Sequence, residues 1–131
     1  MGADEIDEEI EDSGPVQALL PGRKAMVVRL TCKEGMRPGL LEALNTYADG
    51  LAEEPGTEVY MVSLDPDDAK IVWLFEVFKD DDAENAHRAS KGFSVMISEL
   101  NDLLEAAPAI LRMDPLRMVM QESVLEEDWA F

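Results

Sequence analysis

The spacing of the apolar residues changes in a fixed order along the chain, and this order restricts the possible folds. From Lys24 to Cys32 every second residue is apolar, which is typical of a strand buried on one face. From residue 36 to residue 53 the apolar residues recur at steps of three and four, which predicts an amphipathic helix. Pro55 and Gly56 follow and should end this helix. A strand followed by a helix is therefore expected here.

The following segment predicts two more strands and two more helices. Alternating residues at 58–64 and 69–79 are joined by a turn rich in Asp and Pro, as in a β-hairpin. A capping box is expected where Asp81 is followed three residues later by Glu84, and it should start a short helix. A longer helix follows and ends before Pro108. Residues 118–120 are then expected to form the last strand.

These elements predict an α+β domain of the ferredoxin-like split β-α-β-β-α-β type, with one four-stranded antiparallel sheet and helices on one of its faces. In the strand at 69–79, both faces are apolar: Trp73 and Phe75 lie on one side, and Leu74 and Phe78 on the other. Helices can cover only one side, so a monomer would expose a large apolar surface. We therefore expect a homodimer formed through the open sheet face, which would give a dimeric α+β barrel.

The domain should occupy residues 23–121. Residues 1–22 are expected to be an acidic, disordered arm, and residues 122–131 a C-terminal tail. The net charge is −18, and seven of the 29 acidic residues lie within the first twelve positions. Because acids outnumber bases about two to one in the remainder as well, the charge disfavours nucleic acid and anionic membranes as partners.

The single cysteine, Cys32, cannot form an intramolecular disulfide and has no neighbours spaced as metal ligands. The N-terminus is acidic and unlike a secretory signal, and no apolar segment is long enough to span a bilayer. These features favour a cytoplasmic protein without a bound metal.

Three short sequences in this order resemble the antibiotic biosynthesis monooxygenase family of dimeric α+β barrels. They are Glu54-Pro55-Gly56, Phe75-Glu76-Val77-Phe78 followed by Lys79-Asp80, and Ala86-His87-Arg88-Ala89-Ser90 with Phe93 after it. The resemblance covers residues 24 to 121. It implies a homodimer with a pocket between sheet and helices, and oxidation of phenolic or quinol-type aromatic compounds by O₂ without metal or flavin.

One branch of that family degrades haem, and the resemblance also identifies the positions at which this chain departs from it. Where that branch has Asn, Trp and His, this chain has Val28, Phe78 and Ile97. No axial ligand or polar group would then lie over the metal, so haem chemistry is disfavoured. We expect no cofactor.

His87 is the natural candidate for a catalytic base, since it is the only histidine and its side chain titrates near neutral pH. Alternatively, it packs the junction between the two C-terminal helices. Glu76 interrupts an apolar strand, so it either points into a pocket with a raised pKa or forms an ion pair with Arg29 or Arg117.

Other residues could orient or stack a planar substrate. Tyr60 and Tyr47 could each donate a phenolic hydrogen bond, although packing in the core is the more common role of such tyrosines. Phe78 and Phe93 are candidates for stacking, and Val28 and Ile97 for the pocket wall. Trp73 should face the opposite side of the sheet from Glu76 and belong to the dimer core.

The sequence thus predicts a cofactor-independent monooxygenase with His87, Glu76 and Tyr60 as catalytic residues. A non-catalytic dimer that binds a small ligand is the main alternative, because polar pocket positions are apolar here. A third possibility is an adaptor that binds another protein through apolar residues of its two arms: Leu19, Leu20, Trp129 and Phe131.

Overall fold

A computed structural model describes residues 14–126, with side chains described as far as Val124. Two compact units are present, one formed by residues 22–114 and the other by residues 14–21 and 115–126. The elements in chain order are β1 (Pro15–Leu19), β2 (Lys24–Thr31), α1 (Arg37–Asp49), a 3₁₀ turn (Leu51–Glu53), β3 (Thr57–Leu64), β4 (Ile71–Phe78), α2 (Asp81–Ala89), α3 (Lys91–Leu103), β5 (Ala109–Met113), β6 (Arg117–Gln121) and α4 (Glu122–Glu126).

The larger unit is an α+β fold with one four-stranded antiparallel sheet in the order β3-β4-β2-β5. The predicted split arrangement is therefore confirmed for residues 22–114. Alternate residues of β2, namely Met26, Val28 and Leu30, are buried, and Cys32 is buried directly after the strand, as the alternation predicts. They pack with Leu40, Leu44, Met96 and Leu100 of the helices in one core.

Two caps position the short helix α2. Asp80 is its N-cap, with a side chain that accepts a hydrogen bond from the Ala83 backbone N–H. The helix thus begins one residue earlier than the capping box at Asp81 predicts. Ser90 ends α2 and caps α3, where its hydroxyl accepts from the Phe93 N–H. The two helices therefore meet at one residue, and this fixes the direction of the last turn of α2.

The prediction for the last strand is wrong. The fourth strand of the sheet is β5, which begins directly after Pro108 and pairs with the free edge of β2. Residues 118–120 lie instead in β6, which pairs with β1 in a separate two-stranded sheet. Sequence alternation could not distinguish these two short apolar segments, because the partner of each is set by chain geometry rather than by its own pattern.

The prediction of a disordered arm over residues 1–22 is wrong for part of that segment. Residues 15–19 form the strand β1. The acidic run at 4–12 lies outside the described residues, as do Trp129 and Phe131.

The open face of the large sheet carries a row of apolar side chains, one from each strand. Met61 lies opposite Phe75, Phe75 opposite Val27, and Val27 opposite Leu111. Met61 and Leu111 are 52% and 66% exposed at the two ends of this row. Trp73 lies on the same face, as predicted, and its indole N–H donates to Asp65 in the β3–β4 turn.

Candidate functional site

Glu76 lies on the helix-facing side of β4, between Met26 and Tyr60 of the neighbouring strands. It is 5% exposed and surrounded by apolar core residues. Burial, together with the negative charges of Glu54 and Glu84, raises the pKa of Glu76 to about 7. This carboxyl group can therefore gain or lose a proton near neutral pH.

His87 lies in the last turn of α2 and points into the core above Glu76. Its Nδ1 is 2.6 Å from the Tyr47 hydroxyl and 3.0 Å from Glu54 Oε1. Its Nε2 faces Glu76 Oε1 at 3.6 Å. The imidazole is therefore placed between two carboxyl groups, one on each side of the ring.

Within residues 22–114, Glu76 forms no ion pair with an arginine. Arg29 lies opposite Trp73 in the register of β2 and β4, so it points to the other face of the sheet. Arg117 lies in β6 of the smaller unit, where its guanidinium donates to Gln17. The neighbour of Glu76 is His87, which the alternation in β4 could not reveal.

Glu54 is held in the loop between the 3₁₀ turn and β3, and the sequence interpretation gave it no role. Its Oε1 accepts hydrogen bonds from the hydroxyls of Tyr47 at 2.9 Å and Thr57 at 3.2 Å, and Oε2 accepts from Ser90 at 3.2 Å. Burial by itself would raise the pKa of Glu54, but hydrogen bonds from His87 and Tyr47 outweigh it and lower the pKa. The only sequence signal for Glu54 was its place in the Glu-Pro-Gly segment.

Gly56 explains why that segment can approach α2. A Cβ built on Gly56 would lie 2.6 Å from the Cβ of Ala83, closer than two carbon atoms can pack. The absence of a side chain thus lets the loop contact the helix that carries His87. The same glycine accepts a backbone hydrogen bond from Lys79 at the end of β4.

An apolar cavity of about 110 Å³ lies between the sheet and α3. His87 and Glu76 form part of its wall, together with Phe93, Val28 and Ile97. The other lining residues are Met26, Leu30, Leu74, Arg88, Met96, Leu100, Pro108, Ile110 and Arg112. An engineered cavity of about 150 Å³ in another protein binds benzene, so this volume matches one small ring at most.

Three other predicted site residues lie beside the cavity rather than on its wall. Phe78 is fully buried and packs against the His87 ring, with the ring centroids 4.9 Å apart. Tyr47 also contacts His87, and it lines a groove between α1 and α3. Tyr60 packs on Tyr47, and its buried hydroxyl has no hydrogen-bond partner among the described residues. Burial raises the pKa of both tyrosines, so each stays protonated at neutral pH.

A second buried carboxylate joins α2 to the edge strand. Glu84 is 5% exposed and accepts hydrogen bonds from Arg88 on its own helix and from Arg112 of β5 at 2.6 Å. Both arginines also line the cavity. Their charges are thus partly neutralised where the cavity approaches the surface.

Within residues 14–126, no group of three His, Cys, Asp or Glu side chains is arranged to hold a metal ion. None of the helices in that range is long and apolar enough to cross a membrane.

The fold and this buried site define a ferredoxin-like α+β domain with a small cavity between its sheet and helices. Residues 25–99 match the sequence profile of the antibiotic biosynthesis monooxygenase family. The chain therefore belongs to this family, as the resemblance implied. No curated protein matches the sequence.

Solved structures share the fold at low sequence identity. A candidate antibiotic biosynthesis monooxygenase from Caulobacter crescentus has a TM-score of 0.70 at 19% identity, over 75% of this chain and 93% of that one. Rv0793 from Mycobacterium tuberculosis has a TM-score of 0.67 at 22% identity, over 72% and 95% of the two chains. PA3566 from Pseudomonas aeruginosa has a TM-score of 0.67 at 19% identity, over 76% and 99%.

Proposed function

We propose that this protein is a cofactor-independent monooxygenase that oxidises a small phenolic or quinol-type aromatic compound. The observation that carries the proposal is the position of His87. Its imidazole is buried between two carboxyl groups and reaches the wall of an apolar cavity. Family membership supports a monooxygenase or small-molecule-binding role.

The reaction needs an electron-rich anion, and the cavity residues suit its formation. A phenolic O–H placed beside His87 would transfer its proton to Nε2, and Glu76 would stabilise the resulting imidazolium. The phenolate can then give an electron to O₂. The apolar wall excludes water, which would otherwise stabilise the phenolate by solvation. For hydroquinone, the balanced reaction consumes one O₂ and forms one hydroxyquinone and one water.

The other candidate site residues would hold the substrate ring or keep His87 and Glu76 in position. Phe93 and Ile97 would hold the ring of the substrate against Val28, while Phe78 and Tyr47 keep the imidazole in place. Tyr60 lies opposite Glu76 in the register of β3 and β4, and its buried hydroxyl would orient the Glu76 carboxyl. No metal or flavin takes part in the proposed reaction.

We also propose that the protein forms a homodimer through the open face of its large sheet. The row formed by Met61, Phe75, Val27 and Leu111 crosses all four strands and ends in two strongly exposed residues. Since a second copy would present the same row, the two faces would bury each other's apolar side chains.

A non-catalytic ligand-binding protein is the second candidate. It is favoured by the apolar character of the cavity wall, where Val28 and Ile97 replace polar residues of one branch of the family. Binding without turnover would result if no proton left the ligand.

Oxygen uptake with ¹⁸O₂ separates these functions. The metal-free, flavin-free protein is incubated with single-ring hydroquinones and catechols, and the products are analysed by mass spectrometry. A monooxygenase places one ¹⁸O atom in the product and the other in water. Binding detected by calorimetry without uptake above background would favour the second candidate instead.

A further inference from the structure

The mechanism above assigns no role to Glu54, although this carboxylate contacts the side of His87 that faces away from the cavity. We propose that Glu54 is a positioning residue, which holds the proton of His87 on Nδ1 and so leaves Nε2 free to accept a proton from the cavity. We further propose that His87 needs this orientation to act as the base. This consequence for catalysis rests on the proposed function, whereas the tautomer does not.

The hydrogen bonds around Nδ1 decide which ring nitrogen carries the proton. The hydroxyl of Tyr47 donates to Glu54 Oε1, so its oxygen is left as an acceptor toward His87. The ionised carboxylate of Glu54 can only accept. Both atoms near Nδ1 are therefore acceptors, and a neutral imidazole satisfies them only when Nδ1 is protonated.

The free Nε2 then faces the group that titrates near neutral pH. Glu76 Oε1 is 3.6 Å away, and both side chains belong to the cavity wall. A carboxylate that orients an imidazole for proton transfer at its other nitrogen is the arrangement of the catalytic triads. Here Glu54 has the orienting position and the cavity lies on the Nε2 side.

Glu54 and His87 also lie at the boundary between two spaces. Glu54 and Tyr47 line the groove between α1 and α3, which has a volume of about 480 Å³ and also contains Glu53, Lys91 and Glu99. His87 lines the inner cavity, and Glu54 does not. The Glu54 side chain is 12% exposed and that of His87 only 5%. Glu54 can thus hold Nδ1 from the groove side while Nε2 exchanges a proton on the cavity side.

The single histidine makes the tautomer directly measurable in the full-length protein. Long-range ¹H–¹⁵N NMR of the ¹⁵N-labelled imidazole distinguishes a protonated from an unprotonated ring nitrogen. We expect the Nδ1-H tautomer in the wild type. In Glu54→Gln the Tyr47 hydroxyl, no longer held by a carboxylate, should turn to donate to Nδ1 and shift His87 toward the Nε2-H tautomer.

Two control variants separate the role of Glu54 from general disturbance of the cluster. Tyr47→Phe keeps the carboxylate and should keep the Nδ1-H tautomer. Thr57→Val removes another donor to Glu54 and should also leave the tautomer unchanged. An Nε2-H tautomer in the wild type, or no change in Glu54→Gln, would overturn the assignment.

Kinetics test whether this orientation of His87 matters for catalysis. On a substrate of the wild type, Glu54→Gln should lower kcat at least about tenfold with little change in KM, and Glu54→Asp should restore part of the rate. An unchanged kcat would refute a role of this orientation in catalysis. Absence of uptake by the wild type would instead refute the proposed function, while the tautomer would still be decided by NMR.

Discussion

The Nε2 of His87 and the Oε1 of Glu76 lie 3.6 Å apart inside the protein, although one residue belongs to a helix and the other to a strand. Because the carboxyl is buried, its neutral form is favoured over its anion. The carboxyl of Glu76 can therefore gain or lose a proton beside His87 near neutral pH. The free energy of unfolding should therefore depend on pH, and this dependence can be measured without a substrate.

The first prediction concerns stability as a function of pH. The pKa of Glu76 rises from 4.5 to about 7 on folding, so the folded state holds this proton more tightly than the unfolded state. Its contribution is present below about pH 4.5 and is lost as the pH rises through 7, a difference of about 3 kcal/mol. Relative to Glu76→Gln, the wild type should lose about this much free energy of unfolding over that range in urea titrations.

Several other groups face Glu76, and the comparison is designed to cancel them. His87, Glu54, Glu84 and Tyr60 are present in both proteins. Glu42→Gln, on the exposed face of α1, serves as the control and should show the wild-type dependence. Parallel curves for the wild type and Glu76→Gln would contradict the assignment of a raised pKa to Glu76.

The second prediction concerns the close approach of Gly56 to α2. Gly56→Ala should lower the free energy of unfolding by about 1–3 kcal/mol, because the new Cβ would overlap that of Ala83. Gly92→Ala in α3 is the matched control, since its Cβ would meet Tyr47 at an ordinary distance of 3.7 Å. Adding Ala83→Gly to Gly56→Ala should recover part of the loss in a double-mutant cycle, and a coupling energy of zero would contradict the proposed contact.

The third prediction concerns the dimer. Met61→Lys places a charge in the apolar row of the open sheet face and should convert the dimer to a monomer in sedimentation velocity. Met61 is already 52% exposed within one chain, so the fold itself should tolerate the change. Met36→Lys adds the same charge at a residue 43% exposed, just before α1, and should remain dimeric. A monomeric wild type would refute the proposed interface.

The fourth prediction concerns ligand size. Single-ring phenols should raise the melting temperature of the wild type, whereas three-ring compounds should not, because the cavity of about 110 Å³ holds one ring. Ile97→Phe should fill this space and abolish the shift. Ser98→Phe, exposed on the same helix, should not. If single-ring phenols raise the melting temperature of Ile97→Phe as much as that of the wild type, they bind outside this cavity.

Much of the fold follows from local pattern, but the site follows from contacts between distant residues. Alternation in β4 correctly predicts that Glu76 lies on the opposite face from Trp73, since side-chain direction in a strand depends only on position. The same pattern could not predict that Tyr47 would meet His87, which lies 40 residues later in the chain. That contact depends on how α1 and α2 pack over the sheet.

The wrong prediction of the last strand has a related cause. Residues 109–113 and 118–120 are both short and apolar, and either could pair with β2 on pattern alone. The short connection from α3 favours the nearer segment. The role of Glu54 is not predictable from sequence for a similar reason, because an acidic residue before Pro-Gly resembles a helix end and its partner Ser90 lies 36 residues away.

The most direct test of the proposed function compares oxygen consumption by the wild type and by His87→Gln on the hydroquinone that gives the highest rate. Circular dichroism confirms that both proteins are folded. The account predicts that the rate falls by about 100-fold or more in the variant, because general-base catalysis contributes a factor of that order. An unchanged rate in His87→Gln, or no uptake by the wild type on any phenol or quinol, would contradict it.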